Sequence, residues 1–182
     1  MLRLFNFLGW LLVAALSFGC KKEDKPEEAT ATLEVVDQWT AFLDSTASPQ
    51  GSLTVFLPTS RVSSAVVDSC RRHNLPLEQL QEATLSQATL TVQALAGQTF
   101  DLVRQLTWYI TSDKGDRMVL ATLPDVPPGA TLLTLTPTNA SLLSYLRPGQ
   151  YYLTPQVEMR QPGRAMAQVR LQLRYRVQGR QP

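Results

Sequence analysis

At 182 residues with a formal net charge of +2, the chain suits a single domain and is long enough to bury a core without disulfide staples. A charge this close to zero argues against a nucleic-acid partner, because such binding is driven largely by phosphate neutralisation. A single histidine excludes a multi-histidine metal site, and no cofactor is expected.

Residues 4 to 18 are almost wholly apolar, interrupted by Asn6, Gly9 and Ser17 and preceded by one positive residue, Arg3. This stretch is shorter than the roughly 20 residues a helix needs to cross the hydrocarbon core, which predicts a cleaved signal and not a transmembrane helix. It ends in Leu16-Ser17-Phe18-Gly19-Cys20, with small Gly19 at the cleavage position, and runs directly into Lys21-Lys22-Glu23-Asp24-Lys25. Those residues resemble the lipobox and tail of Bacteroidetes-type lipoproteins, although the usual leucine three places before the cysteine is Ser17, with Leu16 one place further out. The resemblance implies cleavage before Cys20 and a lipid on its thiol. Acyl chains contribute about 0.8 kcal/mol per buried methylene, so a multiply acylated cysteine is a firm membrane anchor. In the lipoproteins resembled, a lysine and acidic pair after the cysteine favours the outer face of the outer membrane, and Lys22-Glu23-Asp24 matches that pattern. The alternative is an ordinary secretory signal with Cys20 incidental. The expected organisation is a signal peptide at 1–19, a lipidated cysteine and charged, flexible tether at 20–31, and a β-domain at 32–182.

Strands are predicted at Leu33–Leu43, Ser52–Leu57, Ala83–Ala94, Gln105–Thr111, Arg117–Thr122 and Thr131–Thr136. Turn chemistry separates them at Ser48-Pro49-Gln50-Gly51, Ala96-Gly97-Gln98, Asp113-Lys114-Gly115-Asp116 and Pro124 to Gly129. Residues 60 to 73 read as a helix, with Ser60 as N-cap, Val62, Ala65, Val66 and Cys70 on one face, and Asn74 and Pro76 as terminators. Ser141 to Tyr145 reads as one helical turn, and both helical pieces are expected to carry the chain between sheets.

The C-terminus carries the clearest pattern. From Ala165 to Val177 the odd positions are apolar, while Gln168, Arg170, Gln172, Arg174 and Arg176 alternate with them. Period two over such a length predicts a strand with one buried and one wet face. Tyr151 to Arg160 alternates likewise, and Gln161-Pro162-Gly163 would join the two into a hairpin. About eight strands at this spacing suggest a β-sandwich.

The helical segment, then Leu75-Pro76-Leu77-Glu78, then the alternating run after Glu82 resemble a group of uncharacterised Bacteroidetes-type outer-membrane lipoproteins. Phe100-Asp101 ahead of an alternating strand and Pro128-Gly129-Ala130 ahead of a leucine-rich one belong to the same likeness, which spans most of residues 53 to 178. It implies an immunoglobulin-like β-sandwich and an envelope location, and carries no catalytic residue.

Chemistry-bearing residues are sparse. His73 follows Arg71 and Arg72 at the expected helix end, where a cation is favoured by the dipole. Cys70 and His73 are the right residue types for a thiol nucleophile, but their spacing is more simply that of a buried residue beside a surface one. Neither Gly-x-Ser-x-Gly nor Ser-x-x-Lys occurs. Asp113 and Asp116 lack the ligand count of a calcium loop and read as a polar hairpin tip. Two surface features remain. Arg170, Arg174 and Arg176 form a row on the last strand, suited to acidic polysaccharide or lipopolysaccharide phosphate, or to a solvated face that protects a sheet edge. Of the aromatic residues Trp39, Trp108, Tyr109, Tyr145, Tyr151 and Tyr152, about half should be core, and an exposed Tyr109 or Tyr152 would favour sugar stacking.

The expectation is therefore a membrane-anchored cell-envelope module that binds a glycan or partner protein, or acts structurally, without catalysis. Its alternative is a small hydrolase or thiol enzyme using Cys70 and His73, which requires those side chains to meet in an open cleft.

Overall fold

The computed structural model describes residues 30–44, 53–93, 98–161 and 166–181. Cys20, the tether up to residue 29, and the turn residues 48–51, 96–97 and 162–163 lie outside them. Among the described residues nine strands run in the order β1 (Thr30–Asp44), β2 (Thr54–Phe56), β3 (Ser60–Ser63), β4 (Leu80–Val92), β5 (Val103–Thr111), β6 (Arg117–Leu123), β7 (Leu132–Pro137), β8 (Gln150–Met159) and β9 (Met166–Arg180). Helix α1 (Val66–Arg72) lies between β3 and β4, and the short α2 (Leu143–Leu146) between β7 and β8.

The strands form an all-β sandwich. Sheet one has the order β1-β9-β4-β7, and sheet two has β6-β5-β8 with β2 and β3 sharing the far edge of β8. Because β2 and β3 occupy one broken strand position, there are eight positions, as the turn spacing predicts. A short β6–β7 pairing at Ala121↔Pro137 and Thr122↔Thr136 links the sheets.

The connectivity corrects one expectation. In an immunoglobulin domain the first strand lies beside the second. Here β1 lies beside β9 in a register that holds from Thr30↔Arg180 to Asp44↔Met166. Likewise β2 and β3 pair with β8, β4 with β7, and β5 with β6. The chain is in effect one long antiparallel hairpin rolled into two sheets, which is jelly-roll topology. Period-two alternation says which face of a strand is buried, but is silent on which strand pairs with it.

Thr30 and Ala31, expected in the tether, belong to β1. Ser60 to Ser63, expected in a helix, form β3 against Tyr151 and Tyr152 of β8, and Ser60 is not a cap. The helix starts later because its N-terminal donors find partners only at Ser64 and Asp37: the Val66 N–H donates to Ser64 Oγ at 3.2 Å and the Ala65 N–H to Asp37 Oδ1 at 2.7 Å. Its end matches the sequence. Asn74 adopts φ 52°, the Leu75 N–H donates to the Cys70 carbonyl at 2.9 Å, and the Asn74 N–H donates to that of Arg71 at 3.3 Å, the two bonds of a Schellman motif. Both helical pieces carry the chain from one sheet to the other, α1 from sheet two to sheet one and α2 back again. They meet at Gly149, where φ is +80° and an added Cβ would stand 3.0 Å from Val67 Cγ2.

The core between the sheets includes Leu90, Leu133, Leu171 and Tyr175 from sheet one and Leu106, Trp108, Ile110 and Tyr151 from sheet two. One polar chain crosses it. The Tyr175 hydroxyl donates to that of Tyr151 at 3.0 Å, and Tyr151 donates to Asp37 Oδ2 at 2.9 Å, joining β9, β8 and β1. The segments Phe100-Asp101 and Pro128-Gly129-Ala130 also come together: the Phe100 N–H donates to the Ala130 carbonyl at 2.9 Å and the Gly129 N–H to Asp101 Oδ1. Thr99 Oγ1 donates to the other Asp101 oxygen at 2.6 Å, and these bonds hold the exposed carboxyl below its ordinary pKa.

Candidate functional site

Alternate residues of β5, β6 and β8 point away from the core, so Tyr109, Arg117, Tyr152 and Gln156 share the outer face of sheet two. Phe56 joins them from β2, paired with Gln156, and is 55% exposed. The Arg117 guanidinium carbon stands 3.9 Å from the Tyr109 ring centroid and 5.2 Å from that of Phe56. The two rings are 6.4 Å apart and tilted by 40°. Tyr109 cannot swing away freely, since its hydroxyl donates to Gln156 Oε1 at 2.8 Å.

Beside this cluster runs an open groove of about 820 Å³, lined among others by Phe56, Pro58, Thr59, Asp113, Arg117 and Tyr152. It runs past the break between β2 and β3. Pro58 has no N–H to give to a ladder, so the strand is interrupted there; the Leu57 N–H still bonds the Pro155 carbonyl at 2.9 Å, and pairing with β8 resumes at Ser60. The hydroxyls of Thr59 and Thr154 lie 2.8 Å apart across the gap. The groove thus combines apolar ring faces, hydroxyls, one carboxylate and one guanidinium.

The predicted surface residues divide between two faces. Tyr152 lines the groove, and half-buried Tyr109 lies beneath Arg117. Arg170, Arg174 and Arg176 lie on the outer face of sheet one, the opposite side of the sandwich, so they and the tyrosines cannot contact one small ligand together. Nor does the row protect an edge, because β9 is flanked by β1 and β4. Arg174 is paired with Glu34 at 3.2 Å, and Arg176 borders a shallow depression beside Glu82.

Cys70 and His73 do not meet in a cleft. Cys70 is fully buried in the core with Val62 and Val66, and burial pushes its thiol pKa up, whereas His73 is exposed at the end of α1. Asp113 to Asp116 form a hairpin tip closed by a Ser112 N–H bond to the Asp116 carbonyl at 3.0 Å. Among the described residues no cluster of three or more histidine, cysteine or acidic side chains is placed to hold a metal. No helix among them is long and apolar enough to cross a membrane.

Sequence reasoning missed Phe56 and Arg117. A signal for Phe56 was present: Val55 and Leu57 read as inward positions of a strand, which leaves a large aromatic pointing outward between them. Arg117 carried no such mark, since its partners come from β5 and β2.

No family model matches the chain, and no curated protein matches it. Solved structures similar to it include the crystal structure of the 60-mer BFDV capsid protein, at 12% identity over 85% of this chain and 95% of that one, with a TM-score of 0.39.

Proposed function

We propose that this chain is a cell-envelope binding module, tethered to the outer membrane through a lipid on Cys20, and that it binds a glycan on the outer face of sheet two without catalysing a reaction. The observation that carries the reading is the groove bordered by Phe56, Arg117 and Tyr152. Its volume falls in the range of about 300–1,000 Å³ common to small-ligand sites. Sugar rings present apolar C–H faces ringed by hydroxyls, and the groove offers aromatic faces beside Thr59, Thr154 and Asp113. The anchor rests on the sequence from Leu16 to Asp24, and the absence of a reaction on the separation of buried Cys70 from exposed His73.

The test is binding of the detergent-extracted full chain to a glycan array. Retention of a glycan set that is lost in both Phe56→Ala and Tyr152→Ala, with melting temperatures kept, supports the reading. An array without binding, or binding indifferent to both changes, overturns it; capture of a protein in place of any glycan does the same.

A further inference from the structure

We infer that the groove selects an acidic saccharide, with Arg117 as the residue that reads its carboxylate or sulfate. The inference rests on the glycan-binding reading above and deepens it. Four ion pairs occur among the described residues, engaging Arg71, Arg104, Arg160 and Arg174; Arg117 is in none of them and has no hydrogen-bond acceptor among the described residues. Its guanidinium carbon lies 3.9 Å from the Tyr109 ring centroid and 5.2 Å from that of Phe56. A cation over an aromatic ring is held by the ring's quadrupole without using up a hydrogen-bond acceptor, so the Arg117 N–H groups keep their capacity to donate to a ligand. Those donors form a planar fork that matches two oxygens of one carboxylate or sulfate.

Pre-organisation strengthens the argument. A free arginine loses rotamer freedom on binding an anion; the Tyr109–Gln156 bond at 2.8 Å holds the ring over which Arg117 stands, and the ring contact lessens that cost. The opposite charge in the groove sets the orientation. Asp113 repels an acidic group and accepts from hydroxyls, so the ligand's anionic substituent belongs at Arg117 and its hydroxyl-rich edge toward Asp113 and Thr59. Exposed Phe56 and half-buried Tyr152 offer ring faces to the sugar. A neutral glycan would satisfy the rings and hydroxyls while leaving the fork unused.

The experiment measures binding of the full chain to a panel of uronate-, sialate- and sulfate-bearing oligosaccharides, each beside its neutral counterpart, with the uronates reduced to alcohols. At least one acidic member should bind more tightly than its neutral counterpart by roughly ten- to a hundredfold. Arg117→Gln should abolish that preference, so that acidic and neutral forms bind alike, in a protein that still melts cooperatively; Arg117→Lys should keep part of it, and raised salt should weaken only the acidic ligand. Equal affinity for acidic and neutral forms, or a preference that survives Arg117→Gln, overturns the inference and leaves the glycan reading standing. A preference removed by changing Arg170 and Arg176 in place of Arg117 also overturns it, since that would place the acid site on sheet one. No binding to any member overturns both.

Discussion

Asp37 is a carboxylate in the core, 4% exposed. Burial raises its pKa, and the Ala65 N–H and the Tyr151 and Ser64 hydroxyls pull it back down less strongly. The folded protein therefore holds this proton more tightly than the unfolded chain does. That contribution is fully present below the unfolded value of about 3.9 and is lost as pH rises through the folded value. Asp101 acts with the opposite sign: its pKa is lowered, so its contribution is present above the unfolded value and fades in acid. An Asp37→Asn variant does not titrate at this position. The parent should gain stability relative to it as pH falls from 7 toward 4, and urea unfolding of both proteins at the two pH values measures the change. A gap that is constant, or that moves the other way, would show that desolvation does not govern Asp37.

At the scale of elements, helix α1 shows how local chemistry and pairing divide the work. Its C-terminus is local: Asn74 takes the left-handed conformation that costs most residues about 1–2 kcal/mol, and Leu75 closes the Schellman motif with both Leu75 and Cys70 buried. Asn74→Gly should thus be nearly neutral. Asn74→Ala should cost about 1 kcal/mol by chemical denaturation. The N-terminus is not local. Val62, Ala65, Val66 and Cys70 have helical spacing, yet Ser60 to Ser63 gain more from pairing with β8, and the first turn is held by Asp37, a residue of β1. β9 is legible in the same limited way. Its inward residues Val169, Leu171, Leu173, Tyr175 and Val177 are all buried as the alternation requires, but its place between β1 and β4, which removes any edge-protecting role for its arginines, is a matter of partners.

For the whole molecule, the proposed anchor at Cys20 and the groove make separate predictions. Thr30 opens sheet one beside Arg180, whereas the groove lies on sheet two. Cys20→Ser should release the protein from the membrane or leave an uncleaved precursor while groove binding persists. Mass spectrometry of the native protein should find a mature N-terminus at Cys20 bearing acyl chains; an unmodified Cys20, or a start elsewhere, would remove the basis for envelope tethering.

The period-two runs, the turn residues and the single-domain length were enough to determine an all-β sandwich of about eight strands, because burial of one strand face leaves its mark in every second residue of that strand. Tyr109 and Tyr152 were legible as candidates for the same reason, each standing out as an aromatic residue in an alternating segment. Tertiary structure alone decided the rolled-hairpin connectivity, the separation of the arginine row from the tyrosines, and the union of Phe56, Tyr109 and Arg117 from three strands. Strand pairing is a relation between distant segments, and neither partner's own sequence records it.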